Sequence, residues 1–243
     1  MSFSRGVVAM RVGAATSIGK VRELNEDAFW VGENCLIVCD GMGGHQAGEI
    51  ASQMAIDVIR NYHFVMKEPK EEIRLAIEKA HKEIGCAADC HEHLRGMGTT
   101  LTMCLFQPHE NGVQMFVGHV GDSRAYVCKN GQLMQITSDH SVVGELIRQG
   151  SLAPDEAAVH PSRHVLSQAL GVGSIEVELV EYHLPTGSQV LLCTDGLTDV
   201  VDDDQLKHAL QLRSPQEIAQ ELVRRANNLG GPDNITVIVA EPS

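Results

Sequence analysis

Basic residues, paired cysteines and long apolar runs are all scarce in this chain, and each shortage closes off a class of protein. Nineteen lysines and arginines stand against 32 aspartates and glutamates, a formal net charge of −13. Nucleic acid and anionic membrane surfaces both reward positive charge, so neither is expected as a main partner. No stretch approaches the roughly 18 consecutive apolar residues of a membrane span. Met1 to Gly13 also lacks the apolar block of a secretion signal. A cytoplasmic protein is the expectation. The seven cysteines are an odd number spread over 243 residues, which suits a reducing compartment and offers no disulfide framework. With 43% hydrophobic residues the chain can bury a substantial core, and a single domain over residues 1–243 is expected.

The acid excess has two explanations, simple solubility or a cation site, and the positions of the aspartates decide between them. Apolar residues at 47, 50, 51, 54, 55, 58, 59 and 62 follow the 3.6 period of an amphipathic helix, directly after a glycine-rich loop. A second helix carries Ile73, Ala76, Ile77, Ala80, Ile84 and Ala87 on one face, with Pro69 as its start signal. A third is expected from Ser214, spaced from Glu217 as a capping box with Pro215 at the first helical position, to the glycines at 230 and 231. Short β-like runs surround them: Leu36 to Cys39, Thr99 to Phe106, Gln114 to Val120, Arg124 to Cys128, Leu133 to Ile136, Ser188 to Cys193 and Ile235 to Val239. Asn130-Gly131 between two of them signals a tight antiparallel hairpin. Helices clustered early and strands in succession indicate an α+β fold. Ser138 to Gly171 mixes short helical pieces with prolines and glycines and is expected to form a flap, since long connections in compact domains tend to be functional.

The most informative pattern is a repeated construction. Leu36-Ile-Val-Cys-Asp40-Gly41 and Val190-Leu-Leu-Cys-Thr-Asp195-Gly196 each end a buried apolar run with Asp-Gly, which delivers a carboxylate from the rim of a rigid element. A lone Asp-Gly is an ordinary turn signal. Here Gly41-Met42-Gly43-Gly44 continues into a loop where backbone can approach a ligand closely, just before a helix. Gly230-Gly231-Pro232-Asp233-Asn234 places another aspartate at an element boundary. Arg22-Glu-Leu-Asn25-Glu26-Asp27 joins a cation to paired carboxylates, and Gly121-Asp122-Ser123-Arg124 adds one more. Carboxylates gathered together raise one another's pKa unless a cation shares the site. All-oxygen ligation selects a hard ion, magnesium or manganese.

These segments, in this order and over nearly the whole chain, resemble the metal-dependent protein phosphatase family, also called protein phosphatase type 2C, and especially its compact bacterial members. Gly96-Met-Gly-Thr-Thr100, Gly118 to Arg124 and Thr137 to His140 extend the match. The resemblance implies a sandwich of two antiparallel β-sheets flanked by α-helices. It also implies hydrolysis of phosphoserine and phosphothreonine in proteins, attack by a hydroxide bridging two Mn2+ or Mg2+ ions, and a monomer that opposes a bacterial serine/threonine kinase. By similarity Asp40 bridges the ions, the Gly41 carbonyl ligates one, Asp195 and Asp233 ligate the other, and Glu26 and Asp27 act through waters. Arg22 matches the phosphate-binding arginine, whose planar fork suits two phosphate oxygens. Asp122 with Asp195 matches a third metal site, although Asp122 fits an ordinary hairpin aspartate equally well.

One departure from the animal enzymes matters. Their Asp-Gly-His becomes Asp-Gly-Met here, and Met42 cannot donate a proton, so a metal-held water is the expected acid and His45 the weaker candidate. Three rivals to this reading are a phosphatase of the same fold specialised for an anti-sigma-type regulator, which a regulatory domain would support, a silent binding module, which should have lost its ligands, and a hydrolase of small phosphoesters. Cys86, Cys90, His91 and His93 lack the separated knuckles of a structural zinc site. Gly171-Val-Gly173 does not make a dinucleotide fingerprint, and Asp202-Asp-Asp204 is expected to cap a helix rather than hold calcium.

Overall fold

The computed structural model describes residues 6–43, 47–153, 156 and 160–243. His45 lies outside them. Five strands make the first sheet: β1 (Met10–Ser17), β7 (Arg124–Lys129), β8 (Gln132–Gln135), β10 (Gln189–Cys193) and β11 (Ile235–Pro242), in the order β1-β11-β10-β7-β8. The second is ordered β2 (Asp27–Val31), β3 (Cys35–Met42), β5 (Leu101–His109), β6 (Gly112–Val120) and β9 (Glu178–Leu184), with the two-residue β4 (Gly98–Thr99) on the end of β3. Every pairing between named strands is antiparallel. The β7–β8 turn is the expected hairpin, with Asn130 and Gly131 both at positive φ, 52° and 76°.

The alternation of side chains along the strands sorts the core into three layers. Leu36 and Val38 of β3 and Phe106 of β5 meet Val190 and Leu192 of β10 and Ile238 of β11 between the sheets. Their neighbours Ile37 and Cys39 face the other way and pack under α1 (Ala47–Arg60) and α2 (Pro69–Cys90). On the opposite side Leu191, Cys193, Val237 and Val239 pack under α5 (Asp203–Ala209) and α6 (Pro215–Asn228). The central strands are therefore covered on both faces, which is why β3, β5, β10 and β11 read as continuous apolar runs instead of alternating ones. No helix among the described residues is long and apolar enough to cross a membrane.

The helix starts follow their sequence signals with one exchange. Ser214 caps α6 by accepting from the Glu217 N–H at 3.3 Å, but the reciprocal capping box forms at α5, where Asp202 accepts from the Gln205 N–H and Gln205 accepts from the Asp202 N–H. β1, β2 and β9 carry no strong sequence signal of their own. β1 is mostly half-buried, and β1, β2 and β9 all lie at sheet edges, so pairing rather than apolar content defines them. Residues 138–171 contain α3 (Val142–Arg148), capped by Ser141, and return through bridges Ser141–Leu166 and Thr99–Leu170 to the second sheet.

Candidate metal centre and active-site cleft

The ends of β3 and β10 open at the same end of the sandwich, where a cleft of about 800 Å³ is lined by Arg22, Glu26, Asp40, Gly41, Asp122, Asp195 and Asp233 among others. Seven of the eight residues singled out from the sequence thus share one wall-to-wall space. The eighth, Asp27, lies directly across from Asp40 in the β2–β3 register. Its Oδ2 accepts from the Thr194 hydroxyl at 2.9 Å. Like charges directly opposite on neighbouring strands repel, so this pairing needs an external cation or a proton.

Local backbone explains why the carboxylates converge. Asp40 is fixed by its N–H to Thr100 Oγ1 at 2.9 Å, and its carbonyl accepts from the Thr99 hydroxyl and the Thr100 N–H. Gly41 is obligatory: a methyl there would overlap the Gly48 and Glu26 carbonyls, because the start of α1 closes directly onto β3. Glu26 is held from both ends. Its carbonyl accepts from the Ser52 hydroxyl at 2.6 Å, and its Oε1 accepts from the Gly48 N–H at 3.2 Å. Asp195 opens a one-turn helix, α4 (Asp195–Thr198), following the β10 strand end. Asn234 then ties the far side together, accepting from the Glu26 N–H and donating to the carbonyls of Ile18 and Leu24.

Electrostatics show a site short of positive charge. Burial pushes the Asp27 carboxyl up to about 7, opposed by its threonine hydrogen bonds and assisted by the charge on Asp195. Burial and Asp199 raise Asp195 to about 6. Asp40 stands well above the usual carboxylate range, through burial first and then the charges of Asp195, Asp27 and Asp122. Asp122 is raised by burial and by Asp195. Among the described residues, Asp27 Oδ1 and Asp195 Oδ1 are buried without a hydrogen-bond partner. Unsatisfied buried carboxylate oxygens are costly, and an all-oxygen set holding two of them has the chemistry of a hard divalent-cation site. The residues present fit such ions.

Three residues that sequence reasoning passed over also belong here. His164 and Asp199 pair at 3.4 Å, forming with Asp195 a second cluster of potential ligand atoms, and Arg163 borders the same cleft. Asp199 lies one helical turn beyond Asp195, a spacing that could have drawn attention to it. The flap residues had no such signal. Cys86, Cys90, His91 and His93 form no ligand cluster among the described residues.

A family model for protein phosphatase 2C matches residues 17–233. The chain belongs to that family. Among its protein phosphatase 2C relatives, the serine/threonine phosphatase stp of Listeria monocytogenes is 38% identical over 239 residues, covering 93% of each chain. The serine/threonine protein phosphatase PstP of Mycobacterium tuberculosis is also 38% identical, over 98% of this chain but only 46% of its own length. This chain therefore spans about half the length of that relative. The solved catalytic domain of PstP in complex with two manganese ions superposes with a TM-score of 0.85 at 36% identity, covering 97% of this chain and 99% of that one. The two-sheet architecture is the phosphatase 2C fold.

Proposed function

We propose that this protein is a metal-dependent serine/threonine phosphoprotein phosphatase, a phosphoric monoester hydrolase whose 243 residues act as one catalytic unit. The observation that carries this reading is the convergence of Asp40, Asp122, Asp195 and Asp233 beside Arg22 in a single open cleft, with Asp195 Oδ1 and the adjoining Asp27 Oδ1 lacking a hydrogen-bond partner among the described residues. Relatives named as serine/threonine phosphatases support it. So does the pair of manganese ions in the PstP structure.

Asp40 would be the shared ligand of two Mn2+ or Mg2+ ions, with the Gly41 carbonyl on one and Asp195 and Asp233 on the other. Glu26 and Asp27 would hold water in the outer sphere, and Asp122 with Asp195 a third ion. Bound there, the ions would supply Lewis acidity to the phosphoryl group and lower the pKa of the attacking water. The protein's own part is positional. Arg22, half exposed at the cleft mouth, offers two parallel donors to phosphate oxygens. The buried carboxylates would hold the ions, a cation taking the place of the protons that burial and mutual repulsion favour. Met42 borders the cleft and has no proton to give, so the proton for the leaving alkoxide would come from water. Arg163, His164, Val165 and Leu166 form the flap side of the cleft and would select the peptide around the phosphoresidue.

The substrates would be phosphorylated serine/threonine proteins, turned over by a cytoplasmic monomer opposing a cognate kinase. The free cysteines suit that compartment. The test is hydrolysis of a phosphothreonine peptide with added Mn2+, with chelator, and in Asp40→Asn and Asp195→Asn. Metal-dependent turnover lost in either variant supports the reading. Turnover of small phosphoesters but not phosphopeptides would redirect it to a general phosphomonoesterase, and no turnover in folded protein would leave a binding module.

A further inference from the structure

We infer that His140 is a positioning residue that locks the Asp122 turn to the flap strip lining the cleft, so that flap seating and the Asp122 carboxylate move together. This rests on the placement of Asp122 in the metal centre.

His140 is buried, 6% exposed; it is hydrogen-bonded in two directions and faces a carboxylate in a third. Towards the Asp122 turn, its N–H donates to the Gly121 carbonyl at 2.7 Å, and its ring Nδ1 accepts from the Gly121 N–H at 3.3 Å. Towards the flap, its carbonyl accepts from the Ser167 N–H at 2.9 Å, immediately after the strip 163–166 that faces the cleft. Towards β9, its Nε2 lies 3.9 Å from Glu178 Oε2. That carboxylate accepts from the N–H and hydroxyl of Ser138. Because Nδ1 accepts, the neutral ring carries its proton on Nε2, facing Glu178. The same fact argues against reading His119, His140 and Glu178, which lie close together, as a metal site, since a metal on His140 Nε2 would leave the ring proton on Nδ1, set against the Gly121 N–H that now donates to it.

The other side of the turn is equally fixed. Gly121 sits at φ +112°, where a side chain would meet Thr100. Ser123 Oγ is 2.7 Å from Thr100 Oγ1, the atom that also accepts from the Asp40 N–H. Asp122 is thus suspended between the Asp40 strand and His140. The His140 ring is the side-chain link from the flap side to the Gly121 amide.

The experiment compares His140→Ala, which deletes the acceptor, with His140→Asn, whose Oδ1 can take the place of Nδ1. Three readouts are followed: amide hydrogen exchange over 119–123, the Mn2+ binding isotherm, and phosphopeptide kinetics. In His140→Ala we expect at least tenfold faster exchange at Gly121 and roughly tenfold weaker Mn2+ binding at one site. We also expect a fall in kcat/KM that disappears when His140→Ala is placed in an Asp122→Asn background. His140→Asn should recover most of each. Unchanged exchange and a superimposable isotherm would overturn the inference, as would an equal loss of kcat/KM with and without Asp122. If the wild-type protein hydrolyses no phosphopeptide, the catalytic reading fails, while the exchange measurement still decides whether His140 holds the turn. Should His140→Ala not fold, His140→Gln, which moves the acceptor away from Gly121, replaces it with the same expectations.

Discussion

Arg22 donates through Nη2 to Oδ2 of Asp233 at 2.7 Å, so the phosphate-binding candidate and a metal-ligand candidate are paired with each other. Both are partly solvated, with side chains 51% and 31% exposed. A pair of that exposure contributes less than about 1 kcal/mol to folding. On the proposed assignment, a phosphate at Arg22 and a cation at Asp233 would each compete for a group that the other already holds.

Arg22→Lys should leave the melting temperature nearly unchanged and raise KM for a phosphothreonine peptide by about tenfold, because a point charge replaces a two-donor fork. Steady-state kinetics beside a thermal melt checks this. A large drop in Tm with normal KM would mean that Arg22 is structural.

Without metal, the buried carboxylates oppose one another, and removing one should relieve the fold. Asp40→Asn is expected to melt at or above the temperature of the chelated wild type while losing phosphatase turnover by at least about a thousandfold. Saturating Mn2+ should raise the wild-type Tm and move the variant far less. A variant that melts lower than wild type in chelator would contradict the repulsion.

Gly41→Ala places a methyl against two carbonyls where α1 meets β3. We expect destabilisation on the order of 3 kcal/mol and loss of activity together, read by urea denaturation. Retained stability would show that α1 can withdraw from the strand.

Acid sensitivity should come partly from His119. Its ring is fully buried between Thr102 Oγ1 and the Ser138 carbonyl, and burial with the neighbouring His140 lowers its pKa to about 3. The folded pKa lies below the ordinary histidine value, so the unfolded chain binds the proton first. Stability is complete above the unfolded value and is lost as pH falls below about 6.5, a loss on the order of 2 kcal/mol by pH 5. His119→Asn keeps a partner for Thr102 and should flatten this limb relative to wild type. Parallel pH profiles would remove His119 from the account.

Much of this was legible beforehand because local chemistry fixed it. The apolar runs of β3, β10 and β11, the caps at Ser214 and Asp202 and the Asn130-Gly131 turn depend on residues a few positions apart, and they appear where the spacing predicts, except that the reciprocal capping box forms at Asp202 and not at Ser214. The edge strands β2 and β9 escaped notice, since a strand half exposed at a sheet edge needs little apolar character and is defined by its neighbour's hydrogen bonds.

The sequence by itself determined the chemistry: an acidic chain with aspartates at strand ends, a glycine after Asp40 and an arginine ahead of Glu26. Tertiary structure alone decided which of these groups meet. Asp27 faces Asp40 through strand register, Asn234 holds Glu26 from 208 residues away, and His140 reaches Gly121 across the flap root. Side-chain type is written residue by residue, whereas proximity between distant segments arises only when two sheets pack and most buried polar atoms find partners across them.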